Sequence, residues 1–123
     1  MLSIIFHRLS VIALTEFPHI VTKTEIVYTH AGTPRKLRIH LLDTSFIDVW
    51  LSLRGDYSYH WERTQIDGTI FRHDNAPHAS WRHISTFPKH FHNGSQYSVE
   101  ESHISDQPEI ALREFLRFVA TKI

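Results

Sequence analysis

Across residues 24–53 the apolar side chains fall at every second position, the period of strands with one buried face and one wet face. Residues 25–30 and 35–42 flank Ala31-Gly32-Thr33-Pro34, whose glycine and proline supply turn chemistry. In the second run Leu37, Ile39 and Leu41 face one way and Lys36, Arg38 and His40 the other, as in a half-buried antiparallel hairpin. Residues 46–53 continue the pattern with Ile47, Val49, Leu51 and Leu53. Gly55-Asp56 then turns the chain into a second hairpin, residues 57–64 and 69–74, closed at Asp67-Gly68. Residues 96–100 read as a short edge strand. The expectation is an antiparallel meander of about five strands.

At both ends the period lengthens to that of a helix. Ile5, Leu9 and Ile12, with Phe6 and Ala13, make one apolar stripe over residues 3–16, with Ser3 as cap and Pro18 as stop. Near the other end Asp106 and Glu109 read as a capping box, with Pro108 in the first turn. Leu112, Phe115, Leu116 and Val119 form its inward stripe, and Glu109 and Arg113 are spaced to pair on its outside. No repeat, low-complexity tract or linker divides the chain. It reads as one α+β domain over residues 1–123, a sheet flanked by an N-terminal and a C-terminal helix.

Composition removes several functions. With no cysteine there is no disulfide, thiolate metal site or cysteine nucleophile. Formal net charge is zero with histidine neutral, so binding of nucleic acid must rely on a local patch rather than bulk charge. Ile4-Ile5-Phe6 is cut short by His7-Arg8 and lacks the flanks of a signal peptide. No apolar run approaches the roughly 20 residues that span a bilayer. A cytoplasmic protein without a membrane partner is the expectation. Neither a Gly-x-Ser-x-Gly elbow nor a phosphate-cradling glycine loop occurs.

The chemistry concentrates between Tyr57 and His92, which hold six of the 11 histidines and two of the three tryptophans. A two-residue turn at Asp67-Gly68 would set Ile66 opposite Thr69, Glu62 opposite His73, Arg63 opposite Arg72 and Trp61 opposite Asp74. Two arginines directly opposed destabilise a sheet, so either the register is not this one or something anionic lies between them, Asp74 or a bound phosphate. Tyr57, Tyr59 and Trp61 would share the face of those arginines, as hydrophobic packing or as a platform for stacking RNA bases. Asp74-Asn75-Ala76-Pro77-His78 leaves the strand abruptly, with Pro77 locking the exit and presenting His78 at the sheet edge. His90 and His92 point the same way in an extended segment. They suit a metal site, with Asp74 or His78 as third ligand, phosphate binding when protonated, or acid–base work around a ribose 2′-hydroxyl. Lys89 and Arg82 would keep such a site positive.

Three motifs carry a family resemblance. They are Tyr57-Ser58-Tyr59-His60-Trp61, then Arg72-His73-Asp74-Asn75-Ala76-Pro77-His78, then Phe87-Pro88-Lys89-His90-Phe91-His92. With the order helix, sheet, helix, the chain resembles the TumE family of toxin components of toxin–antitoxin systems. The common family form has tyrosine where this chain has His73 and a Pro-His pair where it has Pro88-Lys89. The resemblance implies a small cytoplasmic toxin neutralised by a helix-turn-helix antitoxin encoded nearby, and supplies no reaction.

The residues and the resemblance together favour a toxin acting on RNA, as a ribonuclease needing neither metal nor cofactor. His60, His78, His90 and Asp74 would be its catalytic groups. Arg63, Arg72, Tyr59, Trp61, Lys89 and His92 would hold the substrate. Two other readings stay open: a non-enzymatic module that binds a protein, and a metal-dependent hydrolase using His90 and His92. Oligomeric state is undetermined, a homodimer among the options.

Overall fold

The computed structural model describes residues 1–123 as a helix, a seven-stranded sheet and a second long helix. Helix α1 (Leu2–Glu16) leads into β1 (Val21–Tyr28), β2 (Pro34–Leu41), β3 (Phe46–Leu51) and β4 (Tyr57–Arg63). A four-residue helical turn, α2 (Thr64–Asp67), connects β4 to β5 (Thr69–Asp74). An irregular stretch with one 3-10 turn at Ala79–Trp81 precedes β6 (His90–Gly94), β7 (Val99–Glu101) and helix α3 (Pro108–Ala120). The strands lie in chain order, each antiparallel to the last. The expected α+β class and meander hold. The sheet has two strands more than the expected five: His90–Gly94 pairs along β5, and Val99–Glu101, which overlaps the short edge strand expected at 96–100, pairs along β6.

Alternation sorts the side chains onto two faces. One face carries Leu37, Ile39, Ile47, Val49, Tyr59, Trp61, Phe71 and Phe91, all buried. Helices α1 and α3 cover it with Phe6, Leu9, Leu112, Phe115, Leu116 and Val119. The α3 aromatics reach deepest: Phe118 meets Trp61, Phe71 and Phe91 edge-on, and Phe115 leans on Tyr59. Such pairs add about 0.5–1.5 kcal/mol each beyond the area they bury.

The helix termini depart from the expected capping. Met1 rather than Ser3 precedes α1, and Gln107 rather than Asp106 precedes α3, neither with a side-chain cap. Asp106 instead pairs with Lys89 at 3.2 Å, and Arg113 reaches Glu16 of α1 instead of Glu109. In both cases a partner from elsewhere in the fold replaces the local one.

The central hairpin departs more consequentially. The chain does not turn on two residues at Asp67-Gly68. Glu62 accepts the Thr64 N–H, α2 makes a single helical turn, and Gly68 ends it at φ 79°, where glycine carries no Cβ penalty. Asp67 accepts from the Thr69 N–H and hydroxyl, closing the exit. The register is then Arg63 opposite Thr69, Trp61 opposite Phe71, His60 opposite Arg72 and Ser58 opposite Asp74. Relative to the two-residue turn this is a slip of three, and an odd slip moves one strand's side chains to the other face. Arg63 and Arg72 therefore do not meet.

Candidate functional site

The face without helices carries a polar row. The residues Arg38, Asp48, His60, Arg72 and His92 stand opposite one another on β2 to β6. Beside this row run Trp50, Ser58, Asp74 and His90. At one end Asp48 takes hydrogen bonds from Lys36 Nζ and from Arg38 Nε. Burial raises its carboxyl, but the Arg38 and Lys36 bonds outweigh that and leave it below its ordinary value.

Arg72 sits in the middle and is held on three sides. Its Nε donates to Asp74 Oδ2 at 3.0 Å, one terminal nitrogen to Gln96 Oε1 at 2.8 Å, and the other lies 3.3 Å from His60 Nδ1. Guanidinium only donates, so His60 Nδ1 accepts and its Nε2 proton points to Glu62 Oε1 at 3.1 Å. His60 thus positions Arg72 and has no nitrogen left over.

Beyond Arg72 lies a buried cluster. His90 and His92 are 0% and 1% exposed, and Asp74 is 8% exposed. His90 Nδ1 lies 2.8 Å from the Pro88 carbonyl and His92 Nδ1 lies 3.0 Å from the Gln96 carbonyl. A carbonyl only accepts, so both Nδ1 atoms carry protons and both Nε2 atoms face Asp74, at 3.1 and 3.7 Å. The Asp74 carboxylate is oriented by the Ala76 N–H as well as by Arg72. Trp81, from the 3-10 turn, closes over both imidazoles, its ring 6.1 Å from His90 and 5.9 Å from His92. Burial, then the charge of Arg72, pushes the His92 imidazole below its ordinary value.

Arg72 and Asp74 also form the floor of an open cleft of about 720 Å³, bounded by Trp50, Arg54 and the turn from Asn75 to His78. Asn75 fixes that turn, accepting the Tyr57 N–H and donating to the Gly55 carbonyl. His78 is exposed at the lip, as its place after Pro77 suggested.

The remaining candidates lie elsewhere. Tyr59 and Trp61 are 1% and 0% exposed beneath α3, so neither offers a face to a base; Trp61 donates its indole N–H to Ser45 Oγ at 2.8 Å. Arg63 shares their face, stacks on Trp61 and pairs with Asp43 and Asp67. Lys89 Nζ bonds the Ile104 carbonyl, joining β6 to the segment before α3, and does not line the cleft. Arg82 is exposed. Of the third ligands considered for the histidine pair, the fold brings up Asp74 and leaves His78 at the lip.

Sequence reasoning missed Trp81, Gln96 and Glu62. Trp81 lies in a segment without regular period and Gln96 at the start of the expected edge strand, and only the fold carries them to the site. Glu62 was legible in principle, because His60 and Glu62 stand two apart on one strand and must share a face.

No curated protein and no solved structure matches the chain. No helix is long and apolar enough to cross a membrane. A family model described as Toxin TumE matches residues 9–123, which take in the sheet, the cleft, the buried cluster and α3. On that match the chain belongs to the TumE family, toxins of toxin–antitoxin systems whose action implies an antitoxin partner.

Proposed function

We propose that this toxin acts by cleaving RNA in the cleft over β3 to β5. The observation that carries the reading is Arg72, a guanidinium buttressed by Asp74, Gln96 and His60 at the floor of an open polar cleft. A planar donor held this way is preorganised for a phosphate, and its charge counts for more where the low-dielectric sheet lies behind it. In this reading His78, exposed at the lip, exchanges a proton with substrate, while His60 and Glu62 hold the arginine in position. The reaction is attack of a ribose 2′-hydroxyl on the adjacent phosphorus. The hydroxyl proton passes to a base, the bond from phosphorus to the 5′-oxygen breaks, and that oxygen takes up a proton. The products are a 2′,3′-cyclic phosphate and a 5′-hydroxyl end. A neutral chain suits this, because one local cation rather than bulk charge holds the strand.

The test is purified protein incubated with total RNA and with an oligonucleotide lacking 2′-hydroxyls. Cleavage of the first, with cyclic phosphate ends, and survival of the second are expected. Arg72→Ala should lower the rate by roughly 100-fold, the loss typical of removing one transition-state donor. RNA left intact by protein that still arrests growth on expression would end the ribonuclease reading and leave the toxin.

A further inference from the structure

The buried cluster of Asp74, His90 and His92 is more elaborate than a phosphate site needs. Both imidazoles are locked by Nδ1 bonds to main-chain carbonyls, and both Nε2 atoms converge on one carboxylate. His90 Nε2 is fully buried and, although 3.1 Å from Asp74 Oδ1, is not aligned to make a hydrogen bond. With its proton on Nδ1, a neutral imidazole presents a lone pair at Nε2, and two such lone pairs facing a carboxylate repel it. Something positive belongs between them. One proton would satisfy a single histidine. Two would place two imidazolium rings 4.9 Å apart, beside Arg72, against one carboxylate.

We propose that Asp74, His90 and His92 bind a divalent first-row transition metal ion such as Zn²⁺. The donor set, two neutral imidazoles and a carboxylate, suits that class and not the hard all-oxygen ions. The three donor atoms lie within 4.8 Å of one another. Ligands about 2.0–2.1 Å from one tetrahedral ion sit roughly 3.4 Å apart; His90 Nε2 lies 3.1 Å from Asp74 Oδ1 and His92 Nε2 lies 3.7 Å from Oδ2, so the carboxylate offers one oxygen to each side of an ion held between the rings. The outer contacts are those that metal-binding histidines have, each remaining N–H given to a carbonyl and the carboxylate oriented by a further donor. Of the three, Asp74 alone lines the cleft, so the ion's remaining position opens there. Arg72 beside Asp74 sets the affinity below that of a site with no neighbouring cation. The inference rests on this geometry and is independent of whether RNA is the target.

The experiment uses full-length protein without a histidine tag, stripped with chelator and titrated with Zn²⁺ and Co²⁺ alone. One equivalent of Zn²⁺ should bind and raise Tm by several degrees or more, roughly as mass action requires at saturating ion. Co²⁺ should give visible bands of the strength that four- or five-coordination produces. His90→Gln and Asp74→Asn, each confirmed as folded by circular dichroism, should weaken Zn²⁺ binding at least 100-fold, while His103→Ala on the surface leaves it unchanged. Folded variants that bind like the wild type would overturn the site. If neither variant folds, the wild-type chain decides: no equivalent bound and no rise in Tm would overturn it equally.

Discussion

Strands β5 and β6 place histidines on both faces of the sheet, and the two faces treat them differently. His73 lies on the helix-covered face, stacked on Phe91 with ring centroids 4.1 Å apart, edge-on to Phe115, and bonded through Nδ1 to Ser102 Oγ. Burial, then the charge of Lys89, pushes its imidazole down to about 4. It serves as a neutral core ring. His90 and His92, on the other face, are buried more completely, beneath Trp81, yet their Nε2 atoms turn to a carboxylate. Burial alone therefore does not separate a structural histidine from a site histidine. The partners that its nitrogens find do.

If the covered face sets stability and the open face sets chemistry, substitutions should divide along the same line. Trp61→Ala should do the most damage, removing the ring that meets Phe71 and Phe118 and leaving Ser45 Oγ without its donor. A loss of about 3–5 kcal/mol in urea unfolding is expected. A loss under about 1 kcal/mol would mean that the aromatic face is not the core of this fold.

A smaller effect is expected from pH. An imidazole near 4 in the folded chain and near ~6.5 in the unfolded one binds its proton more readily after unfolding. The stability linked to neutral His73 is whole above the unfolded value and is lost as pH falls toward the folded one. Between pH 7 and pH 5 wild-type protein should lose about 2 kcal/mol more than His73→Phe, measured by denaturant unfolding at both pH values. Equal losses would show that the ring is not held neutral by the core. His92, also lowered, drives both proteins in the same direction and drops out of the difference.

The mildest test concerns Arg63, which lies on the rim of the covered face with Trp61, Asp43 and Asp67. Arg63→Ala should cost about 1 kcal/mol of stability through lost stacking and ion pairing. Growth arrest on expression should persist undiminished. Loss of arrest in a protein that remains folded would put function on both faces and break the comparison.

Much of the framework was legible in the chain. Period-two alternation specified the strands through β5, and the stripe of Leu112, Phe115, Leu116 and Val119 specified α3 and its buried side. That His90 and His92 share a face also followed from spacing, whereas spacing did not choose between Asp74 and His78 as their third partner. Strand β6 escaped because His90-Phe91-His92 alternates in an unfamiliar sense: the histidines are as buried as the phenylalanine, and hydropathy does not register that. The Asp106 cap and the Glu109–Arg113 pair failed because Lys89 and Glu16, distant in sequence, offered partners that a local window does not contain.

What the sequence determined by itself was strands β1 to β5 and which residues within each strand share a face, since the pleat imposes that without reference to any neighbour. Which faces of different strands coincide was decided only by tertiary structure. One helical turn at Thr64–Asp67, in place of a two-residue turn, slid the hairpin by three positions. The slide separated Arg63 from Arg72 and set Arg72 opposite His60. Side-chain direction repeats every two residues, so the length of one short connection chose which arginine entered the site.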